Sequence, residues 1–451
     1  MTTDGPAGRS PRNVAVAAIY LLALAWILGK AALFRERVPP GVPPDEPVHV
    51  SYVAWLEASG AVLPRYEEMR LLEPNGRFGA QPSYLAHPPA YYHVLRGLAR
   101  VTGGVPSGPL DAATRRLRSL SAPLFAAAAA LVLWLGFRRA APLPAHALYA
   151  ATVATVPPFA FVGSAVNNDV LAFLAGGLAL LGLARLLEGR AGATTGTLVG
   201  AGLALALLSK ATAGLLVLLA AAAALALARR TVRWERDPRF LLALLPWLLL
   251  PAIHYVPILV RYGTPVPSLD VVDPEAYARS AFVEAPGTPR LGLFPWALKL
   301  LKVFGSTWLS LIAHVWLPVG PLPTLAGPAL AALLAALGLL RRRRAVGTDD
   351  APLDDLVRAG AVALAGTLLV NLAWARDGYL ATERLGGIHA RYYLPLFPVL
   401  ALAAARGLER LPARGLERVP ARALLAGAVV LLLVLFDAGV TARYLALFPA
   451  P

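Results

Sequence analysis

Two adjacent carboxylates, Asp45 and Glu46, lie between prolines just after the first long apolar run, and His49 follows them. A helix that begins at Asp45 or Glu46 tolerates Pro47 in its first turn and places Asp45 and His49 on one face. A carboxylate so placed can remove the proton of a hydroxyl group. The structural alternative stays open here, because Asp45 is also a good N-cap and acidic residues favour helix N-termini.

Asn168 and Asp169 stand between two apolar runs with almost no other polar residue nearby. An ordinary turn followed by an N-cap explains part of this pattern. An ionisable group also costs less at the end of a membrane span than at its centre. The alternative is that Asp169 is a second acidic group of the same site as Asp45.

Two cations interrupt apolar sequence further along the chain. Lys210 splits the otherwise uncharged segment 191–228, and it is either a snorkelling anchor or a cation that faces an anionic substrate. Arg391 begins a predicted span at its outer end, where the positive-inside rule disfavours arginine. Because a guanidinium binds phosphate in bidentate fashion, we favour a phosphate-binding role for Arg391.

Aromatic and histidine side chains cluster around the Pro88-Pro89 pair. Together with His49 they could line a polar acceptor pocket. Equally, the tyrosines could only anchor a helix at the membrane interface, with His87 as a solvated loop residue. The predicted lining of the pocket consists of His49, His87, Tyr91, Tyr92, Asn168 and Tyr392.

The composition predicts which class of protein must position these groups. Hydrophobic residues make up 57% of the 451 residues, only 15% are charged and the mean hydropathy is +0.61. Apolar runs of about 20 residues, enough to cross a bilayer, recur along the chain. The sequence therefore predicts an all-α, polytopic membrane protein that forms one integral membrane domain over residues 1–451.

The net charge and the cysteine count exclude several kinds of site and partner. The chain has no cysteine, which excludes disulfides, thiol chemistry and cysteine metal sites. The net charge of +16 comes from arginines in short loops beside apolar runs, a pattern that indicates cytoplasmic loops rather than nucleic-acid binding. No nucleotide-binding fingerprint occurs in a strand-helix context. We therefore predict the lipid bilayer as a partner and no nucleic acid.

The arginine clusters also predict the topology, with eleven crossings and the N-terminus inside; thirteen crossings would change the sidedness of several arginine loops. The predicted spans are 13–34, 118–137, 143–163, 169–187, 191–209, 211–228, 240–260, 320–340, 356–375, 388–405 and 423–442. Two large outer loops follow, 35–117 and 262–319. Each contains one apolar stretch that we predict to be an interfacial helix, 88–103 and 294–317.

In order and sidedness, several short segments resemble the GT-C superfamily of polyprenyl-phosphate-sugar-dependent glycosyltransferases. The similarity is to protein O-mannosyltransferases, to aminoarabinose transferases and to a bacterial branch with a Pro-Pro-Asp-Glu-x-x-His motif. The matching segments are 43–49, 57–60, 87–92, 166–169, 208–211 and 390–395. The chain departs from the pattern at His389-Ala390, where that branch commonly has Gln-Gly.

The resemblance implies a role for each charged group. Asp45 would be the catalytic base or would orient the acceptor, with Glu46 its neighbour, and Asp169 would be the second acidic position. Lys210 and Arg391 would bind the lipid phosphate of the donor. Relatives in this group use no nucleotide sugar, and some other GT-C enzymes bind a divalent metal through acidic loops, so no cofactor is assigned and a metal stays open.

The implied reaction moves a sugar, with inversion, from a polyprenyl-phosphate donor to an extracytoplasmic glycan, lipid or protein. The abundance of arginine, alanine, glycine and proline indicates a bacterial source, and the implied location is the plasma membrane with the active site on its outer face. The alternative is a transporter or flippase for a lipid-linked sugar, which would use the same cations but need no base.

Overall fold

The computed structural model describes residues 11–104, 108–229, 238–280, 290–309, 311–312, 315–316, 325–340, 351–382, 388–411 and 419–448. Helices dominate these residues. In chain order they are α1 (Pro11–Arg37), α2 (Glu46–Ser59), α3 (Ala90–Val101), α4 (Leu110–Arg139), α5 (Leu143–Ala154), α6 (Pro157–Gly163), α7 (Asp169–Leu187), α8 (Ala193–Ser209), α9 (Ala211–Ala228), α10 (Arg239–Tyr262), α11 (Leu269–Val272), α12 (Pro274–Ala278), α13 (Leu293–Leu309), α14 (Ala326–Leu340), α15 (Ala351–Thr382), α16 (Phe397–Glu409) and α17 (Val419–Leu445).

Within the described ranges, two short antiparallel hairpins and two 3-10 helices join these helices. One hairpin pairs β1 (Arg70–Leu72) with β2 (Phe78–Pro82), and the other pairs β3 (Leu311–Ile312) with β4 (Val315–Trp316). The 3-10 helices are Tyr66–Glu68 and Ala390–Leu396. The second of them, called the 390–396 helix below, leads directly into α16.

The prediction of an all-α, polytopic membrane protein is confirmed. Among the described residues, seven helices are long and apolar enough to cross a bilayer: α1, α4, α7, α9, α10, α15 and α17. Helices α5 and α6 meet at a bend of 54° and together make an eighth candidate, while α8 and α14 are shorter apolar helices. Each predicted span overlaps a helix, but length and composition do not establish the predicted count of eleven.

The bend between α5 and α6 has a chemical cause. Pro158 has no N–H to donate to the carbonyl oxygen of Ala154, so helical hydrogen bonding stops there. Lys30 of α1 donates instead, with Nζ 3.0 Å from that oxygen. The same ammonium lies 2.6 Å from a carboxylate oxygen of Asp437 on α17. This buried pair connects the first and last helices to the bend that directs α6 towards the start of α7.

Both stretches that were predicted to be interfacial helices are helical, but the burial of α3 and the end of α13 differ from the prediction. Helix α3 buries Tyr91 and Tyr92 completely against neighbouring helices, so neither ring is available for the headgroup region. Helix α13 ends at Leu309 rather than at the predicted residue 317. The strands β3 and β4 follow it, in sequence whose β-branched and aromatic residues favour extended structure.

Helix α7 is the centre of the bundle, and it begins at a predicted site residue, Asp169. Among the candidate spans it is the most buried, since 78% of the residues in its most apolar stretch are buried inside the protein. Gly176 lets the backbone of the 390–396 helix approach, because a Cβ there would overlap the carbonyl oxygen of Pro395. At Gly202 of α8 a Cβ would lie 2.6 Å from the backbone nitrogen of Ala179. Small residues therefore bring α7 close to the elements that carry Lys210 and Arg391.

Candidate active site

Four charged side chains from four separate parts of the chain meet at one end of the bundle. Arg391 Nη2 lies 3.0 Å from Asp45 Oδ2, and Arg391 Nε lies 3.9 Å from Asp169 Oδ2. Lys210 Nζ lies 2.7 Å from Asp169 Oδ1. Two carboxylates and two cations thus form one continuous ion-pair network, which we call the four-charge cluster.

Asp45 has an unusual backbone conformation. Its φ of 59° makes it the one non-glycine residue with positive φ in the part of the chain that the structure describes. Aspartate and asparagine tolerate this left-handed region better than most residues, and outliers of this kind concentrate at functional sites. The side chain makes no capping bond to α2. It accepts hydrogen bonds from Tyr84 Oη at 2.8 Å and from Arg391 instead.

Lys210 lies between α8 and α9, where the chain turns back. Its backbone is extended at this point, and the side chain is buried rather than extended along the surface. The ammonium pairs with Asp169 and lies 4.4 Å from the centre of the Tyr392 ring. A buried ammonium needs such partners, because an uncompensated charge would be costly away from water. The geometry therefore differs from that of a snorkelling anchor.

Arg391 is positioned by the 390–396 helix, which three neighbours hold in place. The backbone N–H of Ala390 donates to Thr307 Oγ1 of α13 at 2.9 Å. Asn371 of α15 donates to the hydroxyl of Tyr393 at 2.8 Å. Helix α7 packs against the other side through Gly176. Helices from distant parts of the chain thus fix the direction of the guanidinium.

The four-charge cluster and the adjacent Asn168 retain buried polar atoms with no hydrogen-bond partner. They are Nε and Nη1 of Arg391, Oδ2 of Asp169 and Oδ1 of Asn168. The amide nitrogen of Asn168 does have a partner, the carbonyl oxygen of Ser209 at 2.7 Å. Because buried polar groups are nearly always satisfied in proteins, donors left open on a guanidinium indicate a site for an anion.

Glu46 makes contacts that differ from those of Asp45, although the two are adjacent. Its carboxylate is fully buried and forms a bidentate pair with Arg118 of α4, at 2.7 Å to Nε and 2.6 Å to Nη2. It also accepts from the backbone N–H groups of Gly41 at 3.1 Å and Val166 at 2.9 Å. These bonds connect the chain before α2 to the turn before Asp169.

Four of the six predicted pocket residues divide into two groups. Tyr91 shares a hydrogen bond with Ser121 Oγ and accepts one from the backbone N–H of Asn167, so it supports the start of α7. His49 and Tyr92 form a second group, with His49 Nδ1 2.8 Å from the Tyr92 hydroxyl. The His87 ring stacks on His49 with the ring centres 6.1 Å apart.

Burial and charge set the protonation of this region. Burial by itself would raise the pKa of Asp45, but the charge of Arg391 and the hydrogen bonds from Tyr84 and Arg391 hold it well below its usual range. Burial lowers the pKa of His49 well below the usual value and lowers the pKa of His87 to about 4. At neutral pH Asp45 is therefore ionised and both histidines are uncharged.

The donor set at the four-charge cluster does not fit a divalent cation. Asp45 Oδ2 is paired with Arg391 and Asp169 Oδ1 with Lys210, and these two positive charges beside the carboxylates oppose the binding of a further cation. Across the described ranges, no group of three or more histidine, aspartate or glutamate side chains has the spacing of a metal site.

Sequence reasoning missed two residues of this region. Arg118 begins a predicted span at its outer end, so the criterion that selected Arg391 would have selected Arg118 as well. Tyr84 carries no comparable signal, because loop tyrosines are common and its contact with Asp45 depends on the folded chain.

Residues 86–255 match the family described as dolichyl-phosphate-mannose-protein mannosyltransferase. No curated protein sequence matches the chain.

Among solved structures, the fold is similar to ArnT from Cupriavidus metallidurans in the apo state, with 17% identity over 90% of this chain and 60% of that one, at a TM-score of 0.43. For the same enzyme bound to undecaprenyl phosphate, the identity is 17% over 94% of this chain and 64% of that one, and the TM-score is 0.44. For the apo form of the oligosaccharyltransferase from Archaeoglobus fulgidus, the identity is 17% over 96% of this chain and 56% of that one, and the TM-score is 0.48. The chain thus spans less than two thirds of the length of these proteins.

Proposed function

We propose that the chain is a member of the GT-C superfamily, because residues 86–255 match the family described as dolichyl-phosphate-mannose-protein mannosyltransferase. In our proposal it is a membrane glycosyltransferase that moves a sugar from a polyprenyl-phosphate donor to a hydroxyl group of an extracytoplasmic acceptor, with inversion. The observation that carries the proposal is the contact of Asp45 with Arg391, whose guanidinium leaves two nitrogen atoms, Nε and Nη1, without hydrogen-bond partners.

The matched family supports this class of donor, because its description names dolichyl-phosphate-mannose, a sugar carried on a polyprenyl phosphate. The cluster supplies what such a donor needs, namely two cations close to a single carboxylate that can accept a proton. We place this site on the outer face of a bacterial plasma membrane, since the arginine-rich loops belong inside.

In the proposed step, Asp45 accepts the proton of the acceptor hydroxyl while the oxygen of that hydroxyl bonds to the anomeric carbon. The bond between this carbon and the phosphate oxygen breaks, and its electron pair leaves with the phosphate. The transition state resembles an oxocarbenium ion. Attack from the face opposite the phosphate inverts the configuration.

Arg391 and Lys210 contribute electrostatically. The phosphate gains negative charge as it leaves, and a cation already in position stabilises this charge without reorganisation, best where water is excluded. Asp169 keeps both cations in place, since it pairs with Lys210 and lies beside Arg391. It is thus a positioning residue for the two cations in our mechanism, rather than a second base.

Glu46 receives a structural role in the proposal, in place of the catalytic role that its position beside Asp45 suggested. Arg118 and two backbone N–H groups occupy its carboxylate oxygens, so it has little capacity to bind an acceptor. By holding the residues around Asp45 and those before Asp169, it fixes the separation of the two aspartates.

The test is transfer from a radiolabelled polyprenyl-phosphate sugar by the purified, full-length protein with candidate acceptors. Asp45→Asn should abolish transfer, and Arg391→Gln should reduce it by about 10²–10³-fold, the usual loss when a preplaced charge-stabilising donor is removed. Glu57→Gln is the matched control, because Glu57 is another acid of α2 whose pair with Arg100 is exposed.

Normal transfer by Asp45→Asn would remove the proposed base and with it the proposed mechanism. The flippase alternative needs no base, so it requires that Asp45→Asn still moves the labelled lipid between leaflets of a vesicle. Transfer that depends on Asp45 separates the two functions directly.

A further inference from the structure

Arg391 makes a contact that is incompatible with full engagement of a phosphate. Its Nη2 is bound to Asp45 at 3.0 Å. Its Nε and Nη1 are buried without hydrogen-bond partners, and Nε lies 3.9 Å from Asp169, beyond hydrogen-bond distance. A phosphate that binds a guanidinium in bidentate fashion uses two parallel N–H groups, so it would compete with the carboxylate of Asp45 for the same face.

The charges of the cluster point to the same competition. Two aspartates and two cations cancel one another, and the neighbouring histidines are neutral because burial lowers their pKa. A phosphodiester donor adds one negative charge to this neutral site, where little water is present to screen it. The added charge repels the nearest carboxylate, Asp45, and pairs with Arg391 in its place.

We propose that the donor phosphate displaces Asp45 from Arg391, so that donor binding itself releases the base and the acceptor is deprotonated only afterwards. This inference rests on the proposed function, because it assigns an order to the steps of that reaction. In the donor-free protein, the contact between the base, Asp45, and the phosphate-binding residue, Arg391, thereby keeps the base inactive.

The two aspartates are unequally free to move. Asp169 begins α7 and keeps Lys210 as a second partner, at 2.7 Å. Asp45 precedes α2, its side chain makes no capping bond, and its other partner is the hydroxyl of Tyr84. Loss of Arg391 therefore leaves Asp45 with one neutral hydrogen bond, while Asp169 stays in an ion pair.

Release from Arg391 also makes the carboxylate of Asp45 a stronger base. While the guanidinium is bound, the carboxylate is a weak base because the cation stabilises its ionised form. After release that stabilisation goes to the phosphate. In the transfer step the proton then neutralises Asp45 as the phosphate gains its second charge, so the net charge of the site does not change.

The experiment measures the affinity of the purified, full-length protein for undecaprenyl phosphate, which lacks the sugar and so cannot react. If Asp45 competes for Arg391, Asp45→Asn should bind this lipid roughly three- to tenfold more tightly than the unaltered protein. Asparagine is suited to the left-handed backbone at this position, so the variant should fold. Glu57→Gln should bind as the unaltered protein does.

A double-mutant cycle separates competition from general repulsion between charges. In an Arg391→Gln background there is no guanidinium to share, so Asp45→Asn should no longer increase the affinity. An unchanged or weaker affinity of Asp45→Asn, or an equal gain in both backgrounds, would overturn the inference. Loss of transfer in Asp45→Asn with unchanged lipid affinity would leave the proposed function intact and remove only the release step.

Discussion

The two arginines that bind the adjacent acids of the Asp45-Glu46 pair differ in how fully their N–H groups are used. Arg118 bonds Glu46 through Nε and Nη2, and its remaining N–H groups reach three carbonyl oxygens of residues 35–39. Arg391 binds Asp45 through Nη2 alone, and Nε and Nη1 have no hydrogen-bond partner. A guanidinium has five N–H donors, and only the first of these two has them all occupied.

This difference teaches how to separate structural from functional ion pairs in a buried site. A saturated pair has no capacity left for a ligand, and its contribution is to hold segments together. An unsaturated pair carries desolvated donors that a ligand can satisfy, so the protein tolerates a local cost that binding removes. The Lys30–Asp437 pair belongs with Glu46–Arg118, since its ammonium bonds both carboxylate oxygens and the Ala154 carbonyl.

The largest effect should come from breaking the saturated pair. Arg118→Met leaves Glu46 buried and without its cation, which typically costs about 3–5 kcal/mol of stability. The variant should therefore lose thermal stability in detergent or in nanodiscs. Arg100→Met is the control, since it removes the exposed pair with Glu57, worth at most about 1 kcal/mol. Equal stability of the two variants would remove the structural role assigned to Arg118.

A smaller effect should follow when the unsaturated pair is displaced without removal of any charge. Gly176→Ala places a Cβ against the Pro395 carbonyl and moves the 390–396 helix away from α7. A displacement of about 1 Å at a catalytic group can lower rates by up to about 10²-fold, so transfer should fall by roughly tenfold or more.

The matched control is Gly29→Ala on α1, where a Cβ meets no atom within 4 Å. It should leave transfer unchanged, and helix propensity favours alanine there. If Gly176→Ala keeps full activity, the fixed position of the 390–396 helix is not what orients Arg391 for transfer.

The smallest effect concerns pH and the neutral histidines beside the cluster. The pKa of His87 is about 4 in the folded protein and near 6.5 in an unfolded chain. Between these values the unfolded chain binds a proton that the folded protein does not, so stability should fall as the pH is lowered from 6.5 to 4. His87→Gln should reduce this slope, as measured by thermal unfolding across that range.

Asp45, like His87, has a lower pKa in the folded protein than in the unfolded chain, but its effect on stability appears in a more acidic pH range. Its contribution to stability is present above the unfolded value near 3.9 and is lost only as the pH falls through the folded value. The difference in stability between the unaltered protein and Asp45→Asn should thus stay constant from pH 8 to pH 5. A change in that window would mean that Asp45 is not held by Arg391.

The amino-acid sequence by itself determined the class of protein, the course of the helices and the polar positions at their ends. Long apolar runs can satisfy their backbone in a bilayer only as helices, so composition and arginine sidedness carry strong information. The termini of predicted spans near 169 and 210 agree with the helix boundaries to within a few residues. The span count is less determined, since short and bent helices satisfy hydropathy rules poorly.

Only the tertiary structure decided which carboxylate pairs with which arginine. Asp45 and Glu46 are neighbours with the same chemistry, yet their partners lie 346 and 72 residues away. Asp45 has a left-handed backbone, and its partner Arg391 lies on the 390–396 helix, which is in close contact with α7. Pattern and propensity act over a few residues, whereas these contacts depend on the packing of helices distant in the chain, and this packing leaves one guanidinium saturated and the other open.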